Sequence, residues 1–174
     1  MFAHPARLLV ALPLVAVAAL LSACAGTVAM NPAPHANSVG CADISVRLPD
    51  DVAGKAERTT DAQATGAWGD PAVVLLRCGV TPIGPTTKPC VTVDGIDWVL
   101  ETDPSAKTIR YITFGRTPAT EVVISHAAGG VSDASVLPDF ADAIGSVKQS
   151  AKCLASADVP VPSHTSTPTP TPAP

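Results

Sequence analysis

Residues 90–100 read Cys90-Val91-Thr92-Val93-Asp94-Gly95-Ile96-Asp97-Trp98-Val99-Leu100. Two runs rich in apolar and β-branched residues flank an Asp-Gly pair. Such a two-residue connection is the strongest local signal for a hairpin, because both central residues of a type I′ turn need positive φ. Antiparallel strands are therefore expected over 90–93 and 96–101. Upstream, Ala72-Val73-Val74-Leu75-Leu76 is apolar at every position, as in a strand covered on both faces, and predicts a strand over about 72–78. Between them, Gly79 to Pro89 holds Pro82, Gly84, Pro85 and Pro89 and reads as loop, since proline can donate no ladder hydrogen bond. Downstream, strands are expected over 108–114, ending near Gly115, and over 120–126, after Pro118.

Past the strands the period changes. Val136, Phe140, Ile144 and Val147 recur at helical spacing and predict an amphipathic helix. It is expected to begin near Ser135, a good N-cap, to carry Pro138 in its first turn, and to run to about Cys153. Ahead of the strands, Ile44, Val46 and Leu48 alternate as in a strand, yet Ile44 and Leu48 also share a helical face. The first element stays open between the two, and Pro49 ends it either way. Asp50, Asp51 and Gly54 read as turn or short-helix residues, Thr59 to Gly66 as loop, and Ala67-Trp68-Gly69-Asp70-Pro71 as a turn. Strands followed by a helix predict an α+β domain. The expected architecture is a two-layer sandwich: a mainly antiparallel sheet of about five strands with the C-terminal helix on one face, the other face at least partly open.

The chain has 174 residues and a formal net charge of −4. Its first 23 residues combine Arg7 with an apolar run from Leu8 to Leu21, the pattern of an export signal. That run is short for a membrane-spanning helix, which takes roughly 20 residues. Leu21-Ser22-Ala23-Cys24 resembles the lipobox of bacterial lipoproteins, which implies cleavage before Cys24 and a diacylglyceryl thioether on it. The expected location is the outer face of the cytoplasmic membrane, lipid-anchored, with secretion as the alternative. Residues 24–40 include Pro32 and Pro34, show no hydrophobic period, and read as a disordered linker. Residues 41–157 are expected to form the globular domain. Residues 158–174 alternate proline with threonine and read as a disordered tail of polyproline II character.

The cysteines are Cys24, Cys41, Cys78, Cys90 and Cys153. Assigning Cys24 to lipid leaves four, and four cysteines outside the cytoplasm suggest two disulfides with three connectivities that sequence does not separate. We favour Cys78–Cys90, at facing ends of consecutive strands, and Cys41–Cys153, tying the first element to the last. No C-x-x-C spacing occurs, so neither redox nor zinc chemistry has sequence support.

Five strings then point to a known family. Ala67-Trp68-Gly69-Asp70-Pro71, Leu76-Arg77-Cys78-Gly79-Val80, Val93-Asp94-Gly95-Ile96-Asp97-Trp98, Tyr111-Ile112-Thr113-Phe114-Gly115-Arg116-Thr117-Pro118 and Glu121-Val122 resemble, in order, the actinobacterial exported family catalogued as domain of unknown function thirty-five fifteen. The resemblance covers most of Cys41 to His126. It implies an exported or membrane-attached protein and no assigned activity.

Catalytic readings fail on geometry. Beyond the signal, His35, His126 and His164 are too scattered for a histidine-rich metal site. Neighbours on a strand point to opposite faces, so Ser125 and His126 are not expected to pair, and no G-x-S-x-G elbow occurs. Asp97 and Glu101 share a face but stand about 13 Å apart along a strand, wider than the roughly 5–9.5 Å of glycosidase carboxylates. No catalytic residue, metal or cofactor is assigned, and scattered Lys and Arg argue against nucleic acid.

The open sheet face is the better candidate. Strand parity sets Asp97 opposite in facing to Trp98, and Glu121 opposite to Val122, so the acids are expected outside. With Arg77, Arg110 and Arg116 they form a polar face for a peptide, sugar or protein partner, against the plainer reading of cross-strand ion pairs. Trp68 is a second candidate, as a loop aromatic that stacks on sugar, against packing at the core rim. The expected function is a membrane-anchored envelope lipoprotein acting as a non-catalytic binding or assembly module for a cell-wall component or envelope protein. The alternatives are an envelope enzyme acting on a cell-wall component and a structural spacer.

Overall fold

The computed structural model describes residues 26–103, 105, 107–126 and 130–154. The expected export signal, Cys24 and the expected tail 158–174 lie outside them. Among the described residues, eight strands form one antiparallel sheet: β1 Asp51–Val52, β2 Lys55–Arg58, β3 Thr65–Trp68, β4 Val74–Val80, β5 Cys90–Val93, β6 Ile96–Asp103, β7 Thr108–Thr113 and β8 Ala119–Ser125. Their order is β1-β2-β3-β4-β8-β7-β6-β5. The Asp-Gly hairpin joins β5 to β6, with Asp94 at φ 45° and Gly95 at φ 77°, as a type I′ turn requires.

The five expected strands are β4 to β8. Those missed are β1 to β3: β1 and β3 lie where turn, short helix or loop is expected and β2 where no element is, because their residues do not alternate. Lys55–Arg58 has Ala56 as its one apolar member, and β3 is built of small residues leading to Trp68. A side chain at Gly66 would have its Cβ only 2.4 Å from the Trp68 ring. The glycine that reads as a loop signal is thus a clearance beneath an aromatic.

One face of the sheet carries the core. Trp68, Val74, Leu76, Trp98, Tyr111, Val122 and Ile124 pack against Val136, Leu137, Phe140 and Ile144; full burial of side chains of this kind is worth about 1.5–3 kcal/mol each. The helical residues come from three short pieces: α2 Asp133–Val136, a 3₁₀ turn Pro138–Phe140 and α3 Ala141–Gly145. The long helix expected to reach Cys153 is corrected to these. After Gly145 the chain leaves the helix, and Gln149 bridges to Arg116. Buried polar groups of the sheet supply the hydrogen bonds that a continuing helix would have made internally.

Of the open first element only Ile44 and Ser45 are helical: α1 spans Val39–Ser45 and buries Cys41 and Ile44, and Val46 to Leu48 lie beyond its end. The linker reading is also corrected. Residues 26–40 lie along the domain, with Val28 bridged to Thr60 and Ala33 and Ala36 buried. His35 N–H donates to the Gly79 carbonyl at 2.9 Å, and at Gly79 (φ 93°) an added Cβ would meet the carbonyl carbon of His35 at 2.3 Å. Small residues make this close approach without any hydrophobic period.

The disulfides are Cys41–Cys78 and Cys90–Cys153, so both expected pairings are corrected. Cys78 ends the inner face of β4 beneath α1, where Cys41 lies with Ala143 and Val147. Cys90 opens an edge strand, and residues after α3 run back to it. No helix among the described residues is long and apolar enough to cross a membrane.

Candidate functional site

The face of the sheet opposite the core bears the candidate residues, and the register aligns them. Arg77 stands across from Glu121, Arg110 from Val123, and Glu101 from Arg110. Both Arg77 contacts to Glu121 come from Nη2, at 3.0 Å to Oε1 and 2.9 Å to Oε2. Arg110 Nη1 lies 3.7 Å from Glu121 Oε2, and its Nη2 donates to Glu101 Oε2. Lys88 Nζ donates to the other Glu101 oxygen. An ionic chain thus runs Lys88–Glu101–Arg110–Glu121–Arg77 across β6, β7, β8 and β4. The Lys88 hydrogen bond, then Arg110, hold the Glu101 carboxyl below the usual carboxylate range against the opposing effect of burial.

The chain is layered. Side-chain exposure is 5% for Glu121 and 19% for Glu101, but 33% for Arg77, 44% for Arg110 and 52% for Lys88. Carboxylates lie beneath, and guanidinium and ammonium groups form the surface. Lys88 and Arg110 line a groove of about 680 Å³ together with Glu101, Glu121, Thr108 and Val123. Beside it a smaller hollow of about 230 Å³ shares Glu121 and Val123 and is walled by Met30 and Asn31 from the N-terminal segment.

Asp97 and Arg116 share the sheet but belong to a separate, buried cluster. Asp97 accepts from Thr92 Oγ1 at 2.6 Å, Gln149 Nε2 at 2.9 Å and the Cys153 N–H at 2.8 Å. Arg116 donates to the carbonyls of Val147 and, at 3.5 Å, Ile144. Burial lowers the Arg116 pKa, with Asp97 acting against it. These two residues bind the protein's own C-terminal segment, so their assignment to an open ligand face is corrected. Trp68 is corrected too: it lies in β3, fully buried, its Nε1 donating to the Pro49 carbonyl at 2.9 Å and its ring meeting Phe140 edge-on at 5.1 Å.

Sequence reasoning placed Arg77, Arg110 and Glu121 together. It set Glu101 aside after testing it only as a catalytic partner of Asp97; the signal it held was the 101–110 register of the β6–β7 pair. Lys88, from a proline-rich loop, carried no signal. At the other end of the sheet Asp133 accepts from Tyr111 Oη at 2.9 Å and hydrogen-bonds His126 Nε2 at 2.9 Å, fastening α2 to β7 and β8. Burial first, then Asp133, raises the Tyr111 pKa. Among the described residues no group of three His, Cys, Asp or Glu side chains is arranged to hold a metal.

Residues 3–153 match the model of a family described as a protein of unknown function, DUF3515. Nothing matches among the curated proteins or among the solved structures.

Proposed function

The chain belongs to the DUF3515 family, and on that premise we propose that it is a lipid-anchored envelope protein whose outer sheet face binds an anionic ligand without chemical turnover. The ligand is a carboxylate- or phosphate-bearing wall component or the acidic segment of an envelope protein. The observation that carries this reading is the layering of the ionic chain. In a molecule of net charge −4, Lys88 and Arg110 line the groove and Arg77 the hollow beside it, while their carboxylate partners are the more buried. Guanidinium pairs with such anions bidentately, and an arginine already oriented by a buried carboxylate loses little further freedom on binding.

Titration calorimetry of the disulfide-intact protein against a glycerol-phosphate oligomer and a poly-glutamate peptide tests it. Arg110→Ala should weaken binding of the recognised anion about tenfold or more, with the near-ultraviolet circular dichroism unchanged. Arg110 suits the test because it is half exposed. Arg77→Ala would instead strip the nearest cationic partner from buried Glu121 and confuse binding with stability. Binding equal in Arg110→Ala and the native chain would remove the groove from consideration.

A further inference from the structure

We infer that residues 26–36 are a rigid strap, not a tether, and that they hold the β2–β3 end of the sheet directly against a lipid bilayer. The inference rests on the anchor at Cys24 proposed above and deepens it by fixing which part of the molecule faces the membrane. From Gly26 onward the segment is fastened at successive points. Arg58 Nη2 donates to the Gly26 carbonyl at 2.6 Å, while Arg58 Nη1 is set by the Gly69 carbonyl at 3.1 Å and Asp70 Oδ1 at 2.9 Å. Val28 N–H donates to the Thr59 carbonyl at 2.8 Å, Asp61 N–H returns to the Val28 carbonyl at 3.3 Å, and Met30 N–H donates to Asp61 Oδ1 at 2.8 Å. Farther on, the segment seats Ala33 and Ala36 in the domain and closes on Gly79.

Chain geometry then limits the anchor. Cys24 precedes Gly26 by two residues, which span at most about 7 Å. A free linker of 16 residues would instead average roughly 22 Å end to end and leave the domain free to tumble. With the lipid so close to Gly26, the surface around Thr59 and Asp70 lies at the headgroups. Edge strand β5 stands six strand spacings from β2, roughly 29 Å across the sheet, and projects away. The same strap carries Met30 and Asn31, which wall the hollow beside Arg77, so the cationic face is held at a set height above the bilayer.

The test uses the acylated full chain in phosphatidylcholine–phosphatidylglycerol vesicles doped with a headgroup-nitroxide lipid. A fluorophore is attached at Thr59→Cys or at Val91→Cys, both exposed positions. Quenching should be at least about threefold stronger at position 59 than at 91, and ten Gly-Ser residues inserted between Ala25 and Gly26 should abolish the difference. Mass spectrometry of the peptide beginning at Cys24 reads the anchor separately. Absence of the diacylglyceryl mass overturns the anchor and the orientation with it. Lipid present with equal quenching at the two positions overturns the strap alone.

Discussion

Asp97 is only 4% exposed, and its carboxylate holds residues 149–153 in place through Gln149 and the Cys153 N–H. Burial alone would raise its pKa, but the hydrogen bonds from Thr92, Cys153 and Gln149, with Lys152 nearby, outweigh that and lower it. A carboxyl depressed in the folded state stabilises the protein above its unfolded value of about 3.9, and that contribution is lost as pH falls through the lower folded value. Asp97→Asn should therefore cost about 3 kcal/mol in urea unfolding at pH 7, and the gap to the native chain should narrow steadily below pH 4. A gap independent of pH would show that the amide's altered geometry, and not lost charge, sets the cost. Strand parity placed Asp97 and Glu121 correctly on the face opposite Trp98 and Val122. Parity names a side of the sheet; it does not say what lies over it. That is why Asp97, covered by the chain's own end, read from sequence like the open Arg110.

Among the elements, β5 depends most on partners distant in sequence. It is a four-residue edge strand, hydrogen-bonded on one side to β6 and tied at Cys90 to Cys153 across a separation of 63 residues. In the chain-entropy model a crosslink of that span is worth about 4 kcal/mol. The Cys90→Ser, Cys153→Ser pair should lower stability by up to that amount and leave residues 146–154 open to protease while the Cys41–Cys78 core persists. Digestion followed by mass spectrometry reads this directly, and a segment still protected would mean that Asp97 and Arg116 suffice to hold it. Local pattern found β4 to β8 and the hairpin turn because alternating or continuous apolar runs and Asp-Gly are signals within a few residues. The helix was read too long because Val147 keeps the helical period while sitting in chain already drawn off by Arg116. Cysteine pairing stayed hidden for a related reason: it depends on how segments far apart in sequence return to the sheet.

For the whole molecule, the boundary between flank and domain lies earlier than composition suggests. Residues 26–40 have small side chains and prolines and bury little apolar surface of their own. Yet Ala33 completes a cluster with Val80, Ile112 and Ala119, and Ile83 packs against it. From the same segment, Ala29, Met30 and Asn31 wall the hollow beside Arg77. Two buried methyl groups and a handful of backbone hydrogen bonds, offset in part by the entropy of ordering the segment, leave a net of about 2–3 kcal/mol. A chain beginning at Cys41 and ending at Ala157 should therefore melt roughly 10 °C below one beginning at Gly26 with the same end. It should also bind anions more weakly, since Met30 and Asn31 no longer wall the hollow beside Arg77. Thermal unfolding of the two chains under oxidising conditions decides the point. Equal midpoints would return residues 26–40 to the status of a linker and, with them, remove the physical basis for a fixed orientation on the membrane.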